Sequence, residues 1–254
     1  RMASEVSVRE KRQAYLLDEL QRSNQQQQEA IRARDEFLSV AAHELRTPIT
    51  SLRGFAELTL RRLDQAGGVE PERLRRALAQ IDRQADQLAR LVAQLLDVSR
   101  LHDGRLQLQR ERADLVDLVA AAAATVQAGT TRHTIHVRAP APVEVLVDAL
   151  RIEQVAINLM ANDAEILAPG DGTVRLAVRD HGIGVPPEYR ERIFERFVQA
   201  HAGYSGMGLG LYISRQIVEL HGGRIELVAP PDGGSYFLVT LPDGLPRTGG
   251  TDTP

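Results

Sequence analysis

Residues 37–48 read Phe-Leu-Ser-Val-Ala-Ala-His-Glu-Leu-Arg-Thr-Pro, and their reading decides the first half of the chain. Leu38, Ala41, Leu45, Leu52, Phe55 and Leu60 recur at helical spacing through and beyond this stretch, so it predicts an amphipathic helix running to about Leu63. Pro48 removes one backbone donor and crowds the preceding turn, which predicts a kink there. His43 and Glu44 sit on that helix. A neutral imidazole can attack phosphorus through one ring nitrogen while a neighbouring carboxylate holds the other N–H and takes up developing positive charge. Taken alone, a His-Glu pair on a helix is more often a solvated surface pair.

Upstream, residues 5–35 are rich in Glu, Gln and Arg, with a thin apolar seam at Val8, Tyr15, Leu16, Leu20 and Ile31 that neither Gly nor Pro interrupts. This predicts a coiled-coil signalling helix over 1–35, continuous with the His43 segment. Downstream, Gly67, Gly68 and Pro71 mark a loop over 64–71. A second helix then carries Leu74, Ile81, Leu88 and Leu95 at seven-residue spacing, with Leu78, Ala85 and Val92 beside them. That apolar face is too wide for a hairpin of two helices, and pairing two hairpins into a four-helix bundle would bury it.

After residue 104 the texture changes. Strand patterns at 105–109, 134–139, 143–147, 164–168, 173–179, 224–228 and 235–241 interleave with helical patterns at 113–127, 149–162, 187–194 and 207–221. The alternation lacks a regular βαβ beat, which predicts an α+β layer, helices on one face of a mixed sheet. The segment 244–254, rich in Gly, Thr and Pro, predicts a disordered tail.

Composition narrows the function. The 254 residues carry a formal net charge of −3 with both signs interspersed, which argues against a nucleic-acid partner. With no cysteine there are no disulfides, thiolate nucleophiles or Cys-based zinc sites. No apolar run approaches the ~18 residues that span a bilayer, so no membrane segment is expected and the sequence predicts a cytoplasmic chain, attached to a membrane at most through a region upstream.

Three further motifs carry chemistry. Asn158 and Asn162 lie four residues apart on an apolar helix and face the same way. An amide oxygen can join an Mg²⁺ octahedron that phosphates and water complete. Asp180-His-Gly182-Ile-Gly184 ends a strand, with glycines that admit a ligand to the backbone and a carboxylate that can accept from an exocyclic amine. Gly206-Met-Gly208-Leu209-Gly210 opens a helix whose N–H groups make a phosphate site. It is not a P-loop, since no Gly-Lys-Ser/Thr follows. Each motif is weak alone. His133 and His136 lack ligand partners in the pattern and read as surface.

Together, over about residues 30–242, these motifs resemble the sensor histidine kinases of two-component signalling. The resemblance implies a dimerisation and histidine-phosphotransfer domain over 36–103 and a catalytic ATP-binding domain over 104–243. It makes His43 the phosphoacceptor, Glu44 its base and Thr47 the residue whose hydroxyl orients water during dephosphorylation of the partner. Asn158 and Asn162 match the N-box, with Asn162 on Mg²⁺. Asp180, Gly182 and Gly184 match the G1 box, which reads adenine. Phe194 and Phe197, with Gly206, Gly208, Leu209 and Gly210, match the F-box and G2 box around an ATP lid. It implies ATP and Mg²⁺, a homodimer, and a response-regulator receiver domain as phosphoryl acceptor. Asp163-Ala-Glu-Ile replaces the basic, aromatic and Gly-rich residues that the family places after Asn162, and the lid before Gly206 is short. A helix running to Asn162 with a strand from Ala164 leaves one connecting residue, against the usual ~2–6, so both junctions predict missing residues and a polypeptide heavier than 28.0 kDa. A degenerate nucleotide-sensing scaffold and a gyrase- or chaperone-type ATPase are the alternatives.

Overall fold

The computed structural model describes residues 2–64, 70–130, 134–139, 141–160, 163–201, 206–230 and 233–244. The chain divides into two compact units, Arg1–Ala89 and Arg90–Pro254.

The first unit is helical. Helix α1 (Met2–Leu63) continues through Pro48, and α2 (Pro71–His102) starts there and ends in the second unit. Along α2 the residues Leu74, Ala77, Ile81, Gln84, Leu88, Leu91, Leu95 and Val98 alternate three- and four-residue steps and are all wholly or partly covered. That is a coiled-coil seam, polar only at Gln84. A second row, Leu78, Val92 and Leu96, is exposed, as are Leu38, Ile49 and Leu60 on α1. A groove of about 750 Å³ on α2 is lined by Leu74, Leu78, Ile81 and Ala85. The loop expected over 64–71 falls mainly on 65–69, outside the described residues.

The second unit is a two-layer α/β arrangement. A five-stranded sheet runs in the order β2 (His136–Arg138), β4 (Asp163–Leu167), β5 (Thr173–Arg179), β7 (Tyr236–Pro242), β6 (Arg224–Val228), antiparallel except for β2 beside β4. Strands β1 (Glu111–Asp114) and β3 (Glu144–Val147) form a separate antiparallel pair. Helices α3 (Leu115–Ala128), α4 (Ala149–Leu159) and α5 (Gly210–Leu220) supply the other layer. Strand alternation buries Val174, Leu176 and Val178, and likewise Phe237, Val239 and Leu241. The helices offer Leu115, Val119, Ile152, Val155, Ile213 and Ile217 to the same core. Two aspartates start helices: Asp114 Oδ1 accepts from Val116 N at 2.9 Å and Asp148 Oδ1 from Arg151 N at 3.2 Å.

Four expectations change. Residues 105–110 form no strand, because they have no ladder partner; the first strand is β1. The pattern at 187–194 gives a 3₁₀ turn, Pro187–Tyr189, followed by further turns with bonds such as Arg192 N to Tyr189 O, 2.9 Å. Helix α5 begins at Gly210, since Gly206 and Gly208 adopt positive φ and cannot be helical. Helix α4 ends at Leu159 with Met160 as its cap, so three residues separate it from β4. The helix thus stops short of the expected 162, while residues 161–162 and 202–205, where missing residues are expected, lie outside the described residues.

Candidate nucleotide site and phosphoacceptor

In the first unit, His43 Nδ1 lies 3.4 Å from Glu44 Oε1, the imidazole 75% exposed and the carboxylate 31%. This is the geometry in which Nδ1–H donates to the carboxylate and leaves Nε2 as the open nucleophile. Thr47 Oγ1 donates back to the His43 carbonyl oxygen at 3.4 Å, one turn away. Both exposure and helical position follow from the polar face of α1.

In the second unit, the loops after β5 and before α5 come together through backbone. Asp180 N donates to Ser235 O at 2.9 Å, and Asp180 Oδ1 accepts from Gly182 N at 2.8 Å. The second carboxylate oxygen has no partner among the described residues and can accept from a ligand amine. Gly184, φ +70°, has no room for a side chain: a Cβ would stand 2.7 Å from Gly234 O. Gly234, φ +79°, is equally confined, since a Cβ would overlap the Asp180 carbonyl oxygen. His201 Nε2 donates to Gly184 O at 2.8 Å, and Phe197 N donates to Gly208 O at 3.1 Å. The segment 197–201 therefore ties the Asp180 loop to the Gly208 loop. Gly208, φ +66°, would place a Cβ 2.8 Å from the Phe197 and Val198 backbone.

Asn158 joins this group from α4. Its Nδ2 donates to Gly210 O at 3.4 Å and to the buried Ser214 Oγ at 3.3 Å. The amide oxygen lies 3.6 Å from where a Gly210 Cβ would stand, beside the start of α5. Leu209 and Met207 are buried and anchor the loop, leaving the first N–H groups of α5 without a side-chain cap. Phe194 packs edge-on to Phe237 with centroids 6.4 Å apart, beneath the Arg215 guanidinium. Its role here is packing, and Phe197 contributes backbone. Asn162, Gly206's neighbours 202–205 and His133 lie outside the described residues.

The residues present fit a nucleotide. An acceptor sits on one loop, uncapped helix N–H groups open α5, and an amide oxygen stands beside them. Among the described residues, no three His, Cys, Asp or Glu side chains cluster as a metal site. A Mg²⁺ here would rest on amide oxygen together with phosphate and water, which suits its chemistry.

Sequence reasoning missed two participants, Ser214 and Gly234, and one support outside the site, His221. His221 ends α5 fully enclosed, its Nε2 accepting from Asp148 N at 3.0 Å and its Nδ1–H donating to Ile217 O at 2.7 Å. Burial pushes its pKa below the usual histidine value, Arg110 pushes the same way, and the Ile217 bond and Asp148 oppose them.

This site defines an ATP-binding fold shared by several enzyme classes. Residues 146–245 match the family described as histidine kinase-, DNA gyrase B- and HSP90-like ATPase, which by itself does not separate them. Residues 33–104 match the His kinase A phospho-acceptor domain, and that does. The chain belongs to the sensor histidine kinases of two-component systems. It is 35% identical to the sensor protein KdpD of Escherichia coli K12 over 222 aligned positions, covering 82% of this chain and 24% of that protein. The aligned positions outnumber the residues that this coverage takes from the 254, so the relative carries residues without counterpart here. Among solved structures, full-length ShkA in complex with AMPPNP is 26% identical, with a TM-score of 0.57, over 82% of this chain and 46% of that one. Acinetobacter baumannii histidine kinase AdeS, 23% identical, shares the fold with a TM-score of 0.58 over 80% and 98%. The chain spans 24–37% of the length of the first three curated relatives it matches. No described helix is long and apolar enough to cross a membrane.

Proposed function

We propose that this chain binds ATP, phosphorylates itself on His43 and passes the phosphoryl group to an aspartate of a response-regulator receiver domain. The observation that carries this reading is the His43–Glu44 pair, inside a phospho-acceptor domain, on the same polypeptide as an ATP-binding fold. In the transfer, Nε2 of His43 forms an N–P bond as the bond from the γ-phosphorus to the ADP oxygen breaks. Glu44 acts as the base: its carboxylate holds the Nδ1 proton and offsets, by accepting it, the positive charge that develops on the ring. Asp180 accepts from the adenine amine, and the N–H groups that open α5 hold phosphate. Asn158 and Asn162 belong at the phosphate end, Asn162 as the Mg²⁺ ligand, where the ion would neutralise phosphate charge. Most of the catalysis is positioning and charge neutralisation.

The exposed rows Leu78, Val92, Leu96 and Leu38, Ile49, Leu60 support a homodimer whose paired hairpins form a four-helix bundle. The 62-residue span of α1 supports a coiled-coil signalling helix over 1–35 leading into the phosphotransfer domain at 36–103. The ATP-binding domain would follow over 104–243 and a tail over 244–254. Thr47, one turn from His43, is placed to orient water when the phosphorylated partner is hydrolysed. A cytoplasmic location fits this reading, in which ATP is the phosphoryl donor.

The test is transfer of label from γ-labelled ATP. Acid-labile, base-stable phosphate should accumulate on the parent chain and be absent from His43→Ala, with nucleotide affinity unchanged. Phosphohistidine persisting in the variant would remove His43 from the role; ATP hydrolysis without any labelled protein would favour the ATPase alternative.

A further inference from the structure

Asp97 is an acid where the helix pattern calls for cover. It stands on α2 beside Val98, with 6% of its surface exposed. Its Oδ1 accepts from Arg151 Nη1 at 2.8 Å and its Oδ2 from Gln154 Nε2 at 2.8 Å. Arg151 Nη1 also donates to Gln154 Oε1 at 2.9 Å, which closes a triangle. Arg151 and Gln154 lie one turn apart on α4, and the next turn on that face presents Asn158. Asp148, the cap of the same helix, accepts from Gln109 N at 2.9 Å through its other oxygen.

A buried carboxylate–guanidinium pair is weak support for stability, because apolar residues of similar volume often serve as well. What it does supply is geometry. Two short bonds to one carboxylate fix both the rotation of α4 about its axis and its position along it. Asn158 hangs on that setting, since its two bonds to Gly210 O and Ser214 are long, at 3.4 and 3.3 Å, and a small rotation would break them.

We propose that Asp97 is a positioning residue for the phosphate end of the nucleotide site, acting through Arg151 and Gln154 on the placement of Asn158. The inference rests on the reading of Asn158 given above. It makes the last turns of α2 a working part of the nucleotide site, so that rotation of this helix end is felt at Asn158.

The experiment compares two probes on the whole 254-residue chain: Mg²⁺–AMP-PNP, which engages the phosphate end, and adenosine, which engages only the base end. Asp97→Ala should weaken AMP-PNP binding about tenfold, the loss typical of removing a group that orients a ligand, and leave adenosine binding unchanged. Asp97→Asn, whose amide oxygen can still accept from Arg151, should recover part of the loss. Gln154→Ala, a milder change, should move AMP-PNP in the same direction and keeps the question open to measurement if Asp97→Ala does not fold. Thermal melts accompany each titration. Loss of both probes together, in step with melting temperature, would make Asp97 merely structural; unchanged AMP-PNP binding would also overturn the proposal. A parent chain that binds neither probe sinks the nucleotide-site reading itself, and the proposal with it.

Discussion

The His43 imidazole is 75% exposed and meets Glu44 across 3.4 Å, whereas Gly208 has no room for one more carbon. The two regions solve different problems. On the proposed reading, His43 must meet a phosphorus atom and then a partner protein, which suits an open position, and α1 presents it on a polar face with two long, adjustable bonds. A nucleotide cradle must hold its dipoles in place before the ligand arrives. The second unit does this mostly with backbone, pinning Phe197 to Gly208 and Asp180 to Ser235, with the His201 side chain holding Gly184. The contrast implies that single changes in the cradle damage structure and binding together, while changes near His43 separate chemistry from stability.

The sharpest way to break the contrast is Gly234→Ala. The new Cβ would overlap the Asp180 carbonyl oxygen in a backbone region that L-residues rarely adopt. Strain and overpacking should cost the second unit roughly 3 kcal/mol and abolish nucleotide binding. The far-ultraviolet helical signal of α1 and α2 should survive, and its loss in the same transition would show the two units to be one cooperative body.

Asp180→Asn should act on binding with little effect on fold. The amide oxygen can keep the 2.8 Å bond from Gly182 N, which leaves N–H where the ligand needs an acceptor. Loss of one charge-assisted bond should cost about 1.5–3 kcal/mol, or roughly ten- to a hundredfold in ATP affinity by calorimetry. Unchanged affinity would remove Asp180 from the site.

The smallest effect concerns His221, whose folded pKa is depressed by burial. Unfolded, the group titrates near the ordinary value of about 6.5, so the unfolded chain binds more protons just below that pH. Its contribution is present above about pH 6.5 and declines as pH falls, by at most about 1.4 kcal/mol per pH unit for one group. Protonation would also set a donor against Asp148 N, the residue that caps α4. Melting of the second unit should therefore drop between about pH 7 and 5.5, and His221→Gln should flatten that slope. An equal slope in both proteins would assign the pH dependence elsewhere.

Much of this was legible in the chain. The seven-residue spacing from Leu74 to Leu95 predicted α2, and alternation over 173–179 and 224–228 placed β5 and β6, because side-chain period is a local property. The motifs at His43, Asp180 and Gly208, on which the proposed chemistry rests, stood out for a different reason: few residue types can supply those atoms, and they stand in short motifs. The turn at 187–194 read as a helix because local pattern does not register that most of its bonds run three residues back. The row Asp148, Arg151, Gln154 and Asn158 carried a faint signal, polar residues at helical spacing on a helix whose only other polar residue is Glu153.

What the sequence determined by itself is the pairing of a phospho-acceptor helix segment with a glycine-rich loop of an ATP-binding domain in one polypeptide, since both depend on neighbours within a few positions. Only the tertiary structure decided how Asp97 reaches Arg151 across 54 positions and how His221 reaches Asp148 across 73. It also decided that Gly234 stands against Asp180. Those contacts depend on which surfaces meet when apolar faces are buried, and residue type and spacing along the chain do not encode that.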